Sequence, residues 1–184
     1  MKHFAVLLLM AGAPAAASCP AAPEISDALT ALIKEANAAE NQDAGRDVSA
    51  RMWQLWLQAP DETAQSVLDR GMRARSNYDS LGALEAFTQL TDYCPNYAEG
   101  YNQRAFVSFL QGDYDLALFD LDKALSLSGD HVGAQSGRAL TLMNLGRVDE
   151  ARQQLLEALD NNPWLSERFL LEKGAPLASE SDDI

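Results

Sequence analysis

A shift of 34 residues brings the chain into register with itself, and this periodicity limits the possible folds more than any other feature. At that spacing Gly71, Ala105 and Ala139 align, as do Ala83, Ala117 and Ala151. Phe87, Leu121 and Leu155 follow, then Leu90, Ala124 and Ala158, then Pro95, Gly129 and Pro163. Arg70, Arg104 and Arg138 keep the same register. Three near-copies therefore run over 64–97, 98–131 and 132–165. Each reads as two helices. In the second copy Tyr101, Ala105, Phe106 and Phe109 fall at helical spacing, Gly112-Asp113 makes a turn, and Leu116, Ala117, Leu121, Ala124 and Leu125 resume the helical period. The third copy turns at Gly146-Arg147, whereas the first has Asn77-Tyr78-Asp79 there and places Gly82 inside its second helix. Small residues recur where larger ones would bury more area because antiparallel helices approach to about 8–10 Å only across small side chains. The expected fold is all-α, a solenoid of antiparallel helix pairs.

These residues resemble the tetratricopeptide repeat, whose pattern is W-x2-L-G-x2-Y, A-x3-F, an alanine and a proline. The Gly slot holds Gly71, Ala105 and Ala139, the first Ala slot Ala83, Ala117 and Ala151, the Phe slot Phe87, Leu121 and Leu155, and the Pro slot Pro95, Gly129 and Pro163. The chain departs from the pattern at the Trp slot (Val67, Tyr101, Gln135), at the Tyr slot (Ala74, Ser108, Leu142) and at the Leu slot, which is arginine throughout. The resemblance implies a concave groove, lined by the first helix of each repeat, that takes a protein or peptide partner. Here the groove would present Leu68, Met72 and Arg75, then Asn102, Phe106 and Phe109, then Ser136, Leu140 and Met143. Leu68, Met72 and Phe106 stand where some members carry the polar or basic groups of a carboxylate clamp, which argues against a co-chaperone of that type. A fold of this kind is a weak guide to function.

The ends are read separately. Met1-Lys2-His3, the apolar run Phe4 to Ala13 and Ala15-Ala16-Ala17 have the layout of a secretory signal, residues 1–17, with cleavage expected after Ala17. The run is too short to span a bilayer, which takes about 20 residues. An exported chain, in the bacterial periplasm, secreted or tied to the envelope, is the expectation. Residues 18–63 hold a helical pair, with Ile25, Ala28, Leu29, Leu32, Ile33 and Ala36 on one stripe and Val48, Met52, Leu55 and Trp56 on the next. That pair is expected to cap the amino end of the stack. Residues 166–173 are expected to form a capping helix and 174–184 a mobile acidic tail. Trp56 and Trp164 read as core, and Trp53 as either core or part of a ligand cage.

Loss of Lys2 with the signal would take the formal net charge from −13 to −14. Such a chain repels nucleic-acid phosphates and anionic lipid, and long-range electrostatics would favour a basic partner. In an oxidising compartment Cys19 and Cys94 invite a disulfide. The run Ala16-Ala17-Ser18-Cys19 also resembles a lipobox, though without its usual leucine, so a lipid anchor at Cys19 stands as the alternative. No phosphate-cradling loop, two-histidine metal spacing or nucleophile elbow occurs, so no catalytic residue, metal or cofactor is expected. Asp113, Asp115, Asp120 and Asp122 read as a solvated acidic face, and His131 as an exposed turn residue. Arg70, Arg104 and Arg138 form a ladder that either ties neighbouring helices together or grips a partner's carboxylates. Asp79, Asp113, Asp120 and Glu150 are the candidate acids for the first role. The functional expectation is an interaction scaffold. A structural subunit of an envelope assembly and an unrecognised hydrolase are the alternatives.

Overall fold

The computed structural model describes residues 18–179, and the signal and its cleavage point lie outside them. Among the described residues eight α-helices follow one another: α1 Ser26–Ala38, α2 Gln42–Trp56, α3 Glu62–Ser76, α4 Ser80–Tyr93, α5 Ala98–Gln111, α6 Tyr114–Leu127, α7 Val132–Asn144 and α8 Val148–Asn161. A 3-10 helix, Ser166–Leu171, comes last, and there is no strand among the described residues. The pairs α3/α4, α5/α6 and α7/α8 are the three repeats. They stack in order through α4 on α5 and α6 on α7, while α3, α5 and α7 touch one another to form the inner layer.

The 34-residue period is a period of backbone geometry as well as of side chains. The first helix of each repeat ends in a left-handed residue, Gly112 at φ 83° and Gly146 at φ 75°. In the first repeat the same role falls to Tyr78, at φ 60°. The following amide donates back five residues in all three cases: Asp79 to Ala74, Asp113 to Ser108, Arg147 to Leu142. That is the capping bond that glycine makes easily and a residue with a Cβ makes at a cost.

The core shows why the small positions vary as they do. Phe87, Leu121 and Leu155 project toward the Gly slot, and the largest of them meets the smallest partner. A methyl on Gly71 would lie 2.4 Å from a ring carbon of Phe87. Ala105 and Ala139 occupy the slot where the second helix carries only leucine. All six residues are buried, as are Ala83, Ala117 and Ala151. The summed volume of each pair is thus nearly constant from repeat to repeat, as close packing requires.

Both ends differ from expectation. The α1/α2 pair is not a cap stacked on the first repeat. It lies across the edge of the solenoid where α5 and α7 begin, and α1 reaches α8. Its core of Leu29, Ala36, Val48, Met52 and Trp56 is completed by Val132 and Leu165 from the far end of the chain. The predicted carboxyl-terminal helix is a 3-10 turn, because Pro163-Trp164 breaks the run and turns Trp164 back onto α1 and α2. The beginning of the supposed tail is also packed. Leu177 is fully buried against Ala139, Leu142, Ala151 and Leu155, and its amide donates to the Leu170 carbonyl. Residues 180–184 lie outside the described part.

Candidate functional site

The inner faces of α3, α5 and α7 and the flank of α2 enclose a cavity of about 390 Å3. Its walls include seven of the nine groove residues read from the repeat: Met72, Arg75, Asn102, Phe106, Phe109, Ser136 and Leu140. Leu68 is not among them. It is fully buried between α3 and α4, where the helix rotates it into the core of the first repeat. Met143 turns toward the α7/α8 core beneath the cavity. Phe106 is 45 % exposed and Trp53 36 %, so two aromatic surfaces face open space.

One further wall comes from the N-terminal pair, where the sequence leaves only Trp53 open as a ligand contact. Trp53 and Leu57 line the cavity from the α2 side, and Glu167 from the 3-10 turn. Trp53 can reach there because position 133 is glycine: a methyl on Gly133 would sit 2.6 Å from the Trp53 ring. Nothing in a local helical period announces that a tryptophan and a glycine 80 positions apart in the chain will meet.

Four hydrogen bonds strap this pair down. The Tyr97 hydroxyl donates to the Trp56 carbonyl at 2.7 Å, and the Trp164 indole N–H donates to the Ala36 carbonyl at 2.9 Å. Asn37 donates to the Asp160 carbonyl at 3.0 Å, and Asn162 to the Ser49 hydroxyl at 2.7 Å. Burial of the Tyr97 phenol, with Glu99 and Asp69 adding to it, pushes its pKa up, so the hydroxyl remains a donor. Gly45 lets the Trp164 ring lie against α2, since a methyl there would fall 2.1 Å from the ring. The sulfurs of Cys19 and Cys94 are bonded, which ties the approach to α1 to the end of α4.

Behind the cavity runs a buried polar chain. His131 is buried, not exposed as its turn sequence suggests, and its ring stacks on Trp56 at 4.2 Å. Its Nδ1 accepts from the Ala134 amide at 3.2 Å, so Nε2 carries the hydrogen that it donates to Glu99 at 2.8 Å. Glu99 also accepts from Asn102 at 2.9 Å and from Gln103. Gln103 in turn accepts from Arg75, whose guanidinium stands 4.8 Å from the centre of the Phe106 ring. Burial lowers the Arg75 pKa and the nearby Glu99 charge opposes that shift. A connected network of this kind fixes the side chains that face the cavity.

The arginine ladder is bound internally. Arg104 forks onto Asp120 with two 2.7 Å bonds and reaches Thr91 of α4 at 2.8 Å. Arg138 bonds Asp122 at 2.6 Å and Gln154 at 2.9 Å, and Arg70 bonds Gln89. Asp120 is thus buried and leaves the acidic face to Asp113, Asp115 and Asp122. Of the other candidate acids, Asp79 caps α4 at Gly82 and Glu150 pairs with Arg147. Among the described residues no group of three or more histidine, cysteine or acidic side chains is placed to hold a metal ion, and no helix is long and apolar enough to cross a membrane.

Comparison with known proteins agrees with this architecture. The tetratricopeptide repeat family model matches residues 108–164. Tetratricopeptide repeat protein 36 of Mus musculus is 38 % identical over 110 residues, covering 56 % of this chain and 58 % of that protein. Its homolog in Nematostella vectensis is 41 % identical over 70 residues, 38 % of each chain. This chain thus spans between about two fifths and three fifths of the length of those two relatives. Among solved structures, the first TPR of Spaghetti (RPAP3) bound to an HSP90 peptide superposes with a TM-score of 0.56 at 21 % identity, over 56 % of this chain and 82 % of that one. At that identity the likeness speaks for the fold alone.

Proposed function

Because the chain belongs to the tetratricopeptide-repeat family, we propose that it is an exported interaction scaffold whose concave cavity binds a segment of a protein partner. The observation that carries this reading is the cavity itself. It is preformed, walled by Phe106, Phe109, Trp53, Met72 and Leu140, and bordered by polar groups already locked in a network. Apolar walls with a few fixed polar groups are the usual make-up of a binding site. Accessible aromatic side chains such as Phe106 and Phe109 are where binding energy concentrates once a partner covers them. Export is supported by the signal-like first 17 residues and by a disulfide that an oxidising compartment would preserve. The net charge of −13 favours a partner with basic groups around its docking segment.

The test is Phe106→Ala combined with Phe109→Ala in the oxidised protein. Peptides selected against the wild-type chain from a displayed random library should lose binding to the variant while its helicity is retained. Unchanged binding would remove the cavity from consideration. A second reading, an assembly subunit held through its outer face, is favoured by Leu116 and Phe119, which stand exposed on α6. It predicts that Leu116→Ser and Phe119→Ser, and not the cavity substitutions, abolish association. Mass spectrometry of the exported protein tests both the cleavage after Ala17 and the disulfide.

A further inference from the structure

We infer that the edge of the solenoid opposite the strap of α1 and α2 docks a basic, apolar-bearing segment of a protein partner. This rests on the outer-face reading above and names the surface and the chemistry it fits. Each repeat helix runs from one edge of the stack to the other. The strap covers the edge where α5 and α7 begin, and Tyr97, His131 and Val132 are buried beneath it. The opposite edge is made by the turns inside each repeat. Tyr78 lies in the first of these turns, Leu81 opens α4, Leu110 ends α5, and Leu116 and Phe119 stand on the first two turns of α6. All five are exposed, Leu81 by 78 %, Leu116 by 62 % and Phe119 by 70 %, well beyond Phe106 in the cavity. The stacking of repeats does not call for them. The 34-residue period puts Asp115 and Asp149 in the place of Leu81, and Gly82 and Glu150 in that of Leu116. It puts Glu85 and Gln153 in the place of Phe119. Large apolar groups gathered at one edge, outside the packing scheme, mark a contact surface.

Charge decides what fits there. Asp79, Asp113, Asp115 and Asp149 stand at the same turns, all exposed, and none is in an ion pair among the described residues. Arg147 at the third turn is forked onto Glu150 and also feels the charges of Asp122 and Asp115 from α6. Of the two bases in the last turn of α3, Arg75 lines the cavity and Arg73 is exposed. The edge is therefore apolar and acidic. A two-fold pairing of two copies would set these acids against their own kind, and an anionic bilayer meets the same repulsion. A segment with Lys or Arg beside its apolar side chains gains from both features.

The experiment uses the oxidised wild-type chain, peptides selected on it from a displayed random library, and three double variants. Leu116→Ser with Phe119→Ser removes the apolar contact. Asp113→Asn with Asp115→Asn removes charge at exposed positions where Asp113 makes no capping bond. Phe106→Ala with Phe109→Ala reports the cavity. Expected is a class of peptides with Lys or Arg beside an apolar residue that loses about tenfold or more on the serine variant. That class should lose about threefold or more on the asparagine variant, weaken between about 50 and 300 mM salt, and ignore the cavity variant. Sedimentation showing that the wild-type chain pairs with itself and the serine variant does not would overturn the basic partner and keep the outer-face reading. Peptides that need Leu116 and Phe119 but lack basic residues and ignore salt would do the same. No peptide and no self-association sensitive to the serine variant would overturn both.

Discussion

At Gly71 the geometry sets two effects against each other. Alanine is worth about 0.5–1 kcal/mol over glycine inside a helix. Here, however, the added methyl would meet the fully buried Phe87 ring at 2.4–2.8 Å. Overpacking of that kind costs about 1–3 kcal/mol, so Gly71→Ala should lower the unfolding free energy by about 1–2 kcal/mol. Adding Phe87→Leu recreates the Ala/Leu pairing of the other repeats and should recover most of the loss, although Phe87→Leu alone leaves a void and is itself destabilising. Urea titration of the two single variants and the double gives the coupling directly, and strict additivity would refute the volume pairing. Tyr78 has the opposite sign. It holds a left-handed conformation with its ring 94 % exposed, so no packing offsets a strain of about 1–2 kcal/mol. Tyr78→Gly, which restores what Gly112 and Gly146 do, should gain about 0.5 kcal/mol after the entropy of the added glycine is counted. Arg104 is a third such site. Arg104→Ala leaves Asp120 buried without its forked partner and should cost about 3–5 kcal/mol.

At the scale of elements, the strap is held by contacts that are separable from the repeats. Gly45→Ala leaves every strap hydrogen-bonding group in place but puts a methyl 2.1 Å from the Trp164 ring. The expected result is faster amide exchange throughout α1 and α2, with α3 to α8 retaining their protection. Uniform loss across all eight helices would show that the strap has no independent stability. Which elements were legible in the sequence follows from the same distinction. The six repeat helices and their turns follow from short-range spacing, because a helix writes its buried face every three or four residues and a solenoid rewrites it every 34, while the seven cavity residues come only from the family resemblance. Leu68 was misplaced because groove and core lie one residue's rotation apart on the same helix. The α1/α2 pair was legible as two helices, but where it docks was not. Its partners Gly45 and Trp164, Gly133 and Trp53, Trp56 and His131 are far apart in sequence and carry no period. His131 misled because a Ser-Gly-Asp-His turn looks solvated until a distant tryptophan and Glu99 cover it.

For the whole molecule, closure by the strap changes how the chain should unfold. A plain solenoid has only neighbour contacts, so its repeats can melt one after another and different probes can disagree. Here α1 meets α8, and the segment that carries this contact is tied covalently to the end of α4 through Cys19 and Cys94. The amino-terminal pair thus contacts the last repeat and is bonded to the first, which adds a link between the two ends of a linear array. Trp53 and Trp56 lie on α2 and Trp164 lies against it, so tryptophan fluorescence reports the strap while far-ultraviolet dichroism is dominated by α3 to α8. In the oxidised wild-type chain the two signals should change at one urea midpoint, as a two-state transition requires. In Gly45→Ala the fluorescence change should move to lower urea and separate from the loss of helix. Replacing Cys19 and Cys94 with serine acts on a different quantity, because it frees the unfolded chain of a link spanning 75 positions. The chain-entropy model gives a cost of about 4.5 kcal/mol. Both signals should then shift together, since the folded interface is untouched. Splitting of the signals in the serine variant, with none in Gly45→Ala, would place the coupling in the disulfide instead of the Trp164 contact.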